Sequence, residues 1–112
     1  MSRTATGFRA WMVQRATAIY LGLFFVYLIA HWLVAPPADY AAWHAWVGHP
    51  VMSTALLIFV LALLLHAWVG MRDILIDYVQ PTALRVGLLA VVGLGLIACA
   101  LWATVVLLLA RQ

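Results

Sequence analysis

VMSTALLIFVLALLLHAWVGM, residues 51–71, holds no Asp, Glu, Lys or Arg, and its one histidine is His66. A helix needs about 20 residues to cross a hydrocarbon core, so this stretch reads as a membrane span. Two more runs have the same character, Ala16–Ala35 and Val86–Ala110. With 69% of the 112 residues hydrophobic and only 8% charged, the composition excludes an ordinary soluble domain. The expected fold is an all-α membrane protein with three transmembrane helices, at about 16–35, 51–71 and 86–110, forming a single membrane-anchor domain over residues 1–112.

The charges orient it. All six basic residues are arginines: Arg3, Arg9 and Arg15 precede the first run, Arg72 and Arg85 bracket the second link, and the loop between residues 36 and 50 has none. The positive-inside rule puts the N-terminus and the second link in the cytoplasm, with Arg111 outvoted at the far end. The leading arginines would also suit a signal peptide, but a run of 20 residues exceeds the usual h-region, so a retained span is expected. The net charge of +3 reflects topology and anionic lipid, and without a basic cluster nucleic acid is not an expected partner. Cys99 has no second cysteine to pair with and reads as a packing residue.

The segments outside the runs are aromatic. GFRAWMVQR, residues 7–15, has Phe8, Trp11 and Met12 at helical spacing and reads as a segment lying flat under the head groups. PPADYAAWHAWVGHP, residues 36–50, reads as a short interfacial helix opened by the prolines and capped by Asp39. Gly87, Gly93 and Gly95, with Ala90 and Ala98, offer small positions on the third span for close approach of another helix.

Among the histidines, His44 and His49 belong to the polar outer loop and His31 to an interfacial position beside Trp32. His66 lies six residues before Arg72, or about 9 Å inside the cytoplasmic end. An ionisable group at that depth needs a partner, because an unpaired polar group in hydrocarbon costs some kcal/mol. Two roles fit it, an axial ligand to a b-type haem or a hydrogen bond to a neighbouring helix, and spacing does not choose between them. Gly70, Asp73 and Asp77 share a helical face with His66, with Gly70 leaving room for a flat macrocycle or another helix. His31 lies 16 residues past Arg15, about 24 Å deep, so it does not match His66 as a second ligand on one iron, and a haem here would take that ligand from a partner.

His66-Ala-Trp-Val-Gly70-Met, followed by Asp77-Tyr78-Val79, Pro81 and Leu84-Arg85, resembles the hydrophobic membrane anchor subunits of succinate dehydrogenase. QRATAIYLGLFFVYLIA, residues 14–30, with Arg15 and Thr17 entering the first span, is similar to the same family, and the three-span layout carries the likeness over the whole chain. The resemblance implies packing with a second three-helix haem-anchor subunit, one shared haem b, and tethering of an iron–sulfur subunit and a flavoprotein subunit in a bacterial cytoplasmic (inner) membrane. It implies His66 as the axial ligand of the haem iron, Arg15 against a haem propionate, Tyr78 as a hydrogen-bond donor to ubiquinone, and Asp77 in the proton supply to that quinone.

Chemistry makes these roles reasonable, since a phenol hydroxyl can stabilise charge developing on a quinone carbonyl and a boundary carboxylate can relay protons. On spacing alone Tyr78 reads first as an interfacial tyrosine, Asp77 as a solvated helix-end acid and Arg15 as a marker of the membrane edge. The adjacent Arg72 and Asp73 depart from the apolar or neutral rim expected of the family. The competing expectations are a non-redox membrane scaffold without haem and the equivalent anchor of a fumarate reductase. The chain is not expected to be catalytic alone.

Overall fold

A computed structural model describes residues 3–112, with side chains from Gly7 onward; the Arg3 guanidinium counted above therefore lies outside the described residues, as do Met1 and Ser2. Four helices account for nearly all of the described residues: α1 (Arg3–Val34), α2 (Tyr40–Gly48), α3 (Pro50–Tyr78) and α4 (Thr82–Ala110). Three of them, α1, α3 and α4, are long and apolar enough to cross a membrane. No strand occurs among the described residues, in line with three runs each long enough for a membrane helix.

Helix boundaries follow local chemistry. Asp39 caps α2, its carboxylate accepting from the Ala42 N–H at 2.8 Å. His49 caps α3 in the same way, Nδ1 accepting from the Val51 N–H at 3.3 Å, with Pro50 in the first turn where its missing N–H costs nothing. At the other end α3 stops at Tyr78 because Pro81 follows, and its ring would clash with the Asp77 carbonyl in a continuing helix. Pro81 then opens α4.

One expectation is corrected at α1. Residues 7–15 do not form a separate flat segment but continue into the span as one helix of 32 residues. No proline interrupts residues 3–34, so nothing in the sequence breaks the hydrogen-bond ladder. That length rises about 48 Å against a core of about 30 Å, so the N-terminal turns extend past the hydrocarbon rather than along its surface.

Packing centres on α3, whose backbone approaches both α1 and α4 closely, while the backbones of those two stay apart among the described residues. Along α1, Tyr20 donates its hydroxyl to the Ala55 carbonyl at 2.9 Å and Phe24 meets Phe59 at 5.2 Å between ring centroids. On the α4 side Trp68 lies 3.4 Å from where a Cβ on Gly93 would stand, so this glycine serves packing within the chain; Gly87 and Gly95 face open space. At the end of the bundle away from Arg15, Arg111 donates to Ser53 Oγ and Thr54 Oγ1, each at 2.6 Å, which satisfies the most deeply buried polar side chain. A Cβ on Gly48 would run into the Ala110 carbonyl, so that junction requires glycine.

Few side chains are buried; Leu23, Val34, Leu101 and Trp102 are among many large apolar groups left open. In water such a surface would aggregate. In lipid it is the ordinary exterior, because helices there associate through packing and hydrogen bonds rather than by escaping solvent.

Candidate functional site

Antiparallel packing brings the first turns of the α1 apolar run to the last turns of the α3 run. Thr17 on α1 therefore meets His66 on α3, with Oγ1 3.2 Å from Nδ1. The same hydroxyl is 2.7 Å from the Val13 carbonyl and 3.1 Å from that of Gln14, the usual way a threonine is satisfied inside a membrane helix. Both His66 and Thr17 are half-buried.

The hydrogen bond to a neighbouring helix, one of the two roles open to His66, is thus present. It does not displace the other, since a ring bonded through Nδ1 still has Nε2. It also revises the depth reckoning. His66 is level with a residue two places past Arg15, about 3 Å along α1, while on α3 it stands six residues before Arg72. His31 lies 14 residues beyond Thr17, about 21 Å along the helix. It is stacked between Tyr27 at 5.8 Å and Trp46 at 5.2 Å, at the opposite end of the bundle. The two histidines are further apart in depth than charge positions alone implied.

Around His66 the chain forms a hollow of about 300 Å³ lined by Trp11, Gln14, Arg15, Ala18 and His66. Arg15 sits over the Trp11 ring at 5.7 Å, which holds a cation beside the indole without neutralising it. Two residues singled out in the sequence, Arg15 and His66, therefore share one wall. Trp11, Gln14 and Ala18 join them, Thr17 reaches the His66 ring from α1, and spacing along one helix could not have paired Thr17 with a residue 49 positions away. One turn beyond His66, a Cβ on Gly70 would meet nothing in this chain, leaving an open strip of backbone.

Asp77 and Tyr78 lie two to three turns further on, at the end of α3. The helix does run through Asp77, so His66, Gly70, Asp73 and Asp77 share a face. Asp73 is partly engaged by Arg72 at 3.0 Å, the one ion pair among the described residues. Asp77 and Tyr78 are exposed, Tyr78 to 80%. Arg85 reaches back from α4 to the Ile76 carbonyl at 3.4 Å and ties the two helices together beside them. No cluster of three or more His, Cys, Asp or Glu suited to a metal ion occurs among the described residues. The donors present are a single imidazole and a guanidinium on one hollow, with a carboxylate and a phenol at the helix end.

A family model described as succinate dehydrogenase/fumarate reductase transmembrane subunit matches residues 1–105. The succinate dehydrogenase hydrophobic membrane anchor subunit of Coxiella burnetii is 40% identical over 105 residues, covering 94% of this chain and 91% of the relative. The protein of the same description from Rickettsia conorii is 37% identical over 90 residues, covering 80% and 71% of the two chains. That from Rickettsia felis is 36% identical over 89 residues, covering 80% and 74%.

Proposed function

Because the chain belongs to the succinate dehydrogenase/fumarate reductase transmembrane subunit family, we propose that it anchors a succinate dehydrogenase, holds one side of a haem b and contributes to the site where ubiquinone is reduced. The observation that carries the haem reading is the hollow that Arg15 and His66 share. A haem b offers iron to an imidazole and carboxylates to a guanidinium, and this donor set fits both. When bound, the haem supplies a one-electron carrier close to the quinone.

The remaining steps belong to the chain's own residues. His66 would hold the iron, and a further ligand would come from a second anchor subunit, since His31 lies at the opposite end of α1. Arg15 pairs with a propionate, and the Trp11 ring beneath it limits where the guanidinium can go. Gly70 leaves the macrocycle space against the α3 backbone.

Ubiquinone is the substrate at the end of α3. Tyr78 donates its hydroxyl to a quinone carbonyl and stabilises the charge that accumulates there on reduction. Asp77 stands at the water boundary and passes protons toward the same oxygens. The exposed end of α3, at the tip shared with α4, is also where the iron–sulfur and flavoprotein subunits dock. This assignment makes it the cytoplasmic face of a bacterial inner membrane, in agreement with Arg9, Arg15, Arg72 and Arg85 all lying toward that end.

Removing the chain from its host tests the anchoring role. Succinate oxidation read with an artificial acceptor is expected to move from the membrane to the soluble fraction, and succinate-driven ubiquinone reduction to disappear. Full retention of both in the membrane would contradict the proposal.

A further inference from the structure

His66 has two ring nitrogens, and in the neutral ring one donates while the other offers a lone pair. Which is which follows from Thr17. Its hydroxyl has one hydrogen, and two carbonyl oxygens, which can only accept, stand at 2.7 and 3.1 Å. The shorter of these contacts is half an ångström tighter than the 3.2 Å to His66, so the hydrogen is directed along α1. Thr17 Oγ1 then presents only lone pairs to the imidazole. The contact with His66 is a hydrogen bond when Nδ1 carries the proton, which leaves Nε2 as the electron-pair donor. Among the described residues no hydrogen bond reaches Nε2.

We propose that Thr17 is a positioning residue for His66: by accepting the Nδ1–H bond it selects the tautomer and holds the ring plane in which Nε2 faces the haem iron. The inference rests on the reading of His66 as the axial ligand. An acceptor behind a ligating imidazole also raises the ligand's basicity. A more basic ligand favours ferric over ferrous iron, so Thr17 holds the haem's reduction potential down.

The comparison is made in the intact complex, at matched subunit content, with Thr17→Val, Thr17→Ser and His66→Ala beside the wild type. Valine keeps the β-branched shape and removes the acceptor, whereas serine keeps the hydroxyl. Thr17→Val is expected to shift the potential of the b-haem upward and to change the g values of its ferric low-spin EPR signal, because the ring is free to rotate. Thr17→Ser should restore both toward the wild type. An effect of packing alone would instead appear in Thr17→Ser, which loses the methyl group that valine keeps.

An unchanged potential and unchanged g values in Thr17→Val, with His66→Ala losing the haem, overturns the role of Thr17 and leaves the ligand intact. Native haem in His66→Ala overturns the ligand reading, and the Thr17 proposal with it. If Thr17→Val does not assemble, Thr17→Ala repeats the test with a smaller side chain. Failure of both, with Thr17→Ser normal or not, assigns Thr17 to helix packing and overturns the positioning role.

Discussion

His66→Ala is expected to strip the b-haem signal from the complex, or to leave a strongly altered residue of it, while His31→Ala leaves the signal nearly intact. The asymmetry follows from position. His66 shares a hollow with Arg15, whereas His31 is stacked on Trp46 about 21 Å further along α1. On the proposed reading, removing the imidazole takes away the iron ligand this chain supplies, and neither Gln14 nor Arg15 in the same hollow would replace it. Helix association does not depend on that ligand alone, because Tyr20, Phe24 and Phe59 also join α1 to α3. Haem must therefore be measured per assembled subunit. Equal haem loss from both substitutions would refute the placement of the haem at the Arg15 end.

Tyr78→Phe is expected to lower succinate-driven ubiquinone reduction by roughly tenfold to a hundredfold while leaving electron delivery to an artificial acceptor unchanged. Removing one donor to a developing oxyanion costs about a hundredfold in a closed site, and less where water reaches the oxygen. Tyr78 is 80% exposed in the chain by itself, so the lower part of that range applies unless partner subunits close over it. Phenylalanine keeps the ring and its interfacial position, which confines the change to the hydroxyl. Unchanged ubiquinone activity would remove Tyr78 from the site, and an equal fall with both acceptors would point to faulty assembly.

Much of this architecture was legible in the chain because its determinants are local. Charge-free runs of sufficient length mark the spans, Asp39 caps α2 as its position before Tyr40 implies, and Pro81 ends α3 at Tyr78. The stripe of His66, Gly70, Asp73 and Asp77 needed only helical periodicity. What failed was a judgement about continuity: Phe8, Trp11 and the flanking arginines look interfacial, yet an unbroken ladder keeps them in α1.

Contacts across helices were not legible. The register of α1 against α3 is set by how their side chains interlock, so Thr17 could be noticed near Arg15 but not paired with His66. For the same reason the level of His66 against α1, two residues past Arg15, could not be read from its distance to Arg72. Arg111 counted only as a misplaced charge in the topology, whereas it joins the end of α4 to the start of α3 by donating to Ser53 and Thr54. The apolar groups still exposed along α1 and α4 face surroundings outside this chain, lipid or partner subunits, whose pattern its sequence does not contain.

The central claim is that this anchor carries a redox centre, and a reduced-minus-oxidised absorbance spectrum of the gently purified complex tests it most directly. The account predicts a b-type haem signal at one haem per copy of this chain, reducible by succinate. A complex that reduces ubiquinone with succinate at full rate yet shows no b-type signal would contradict it.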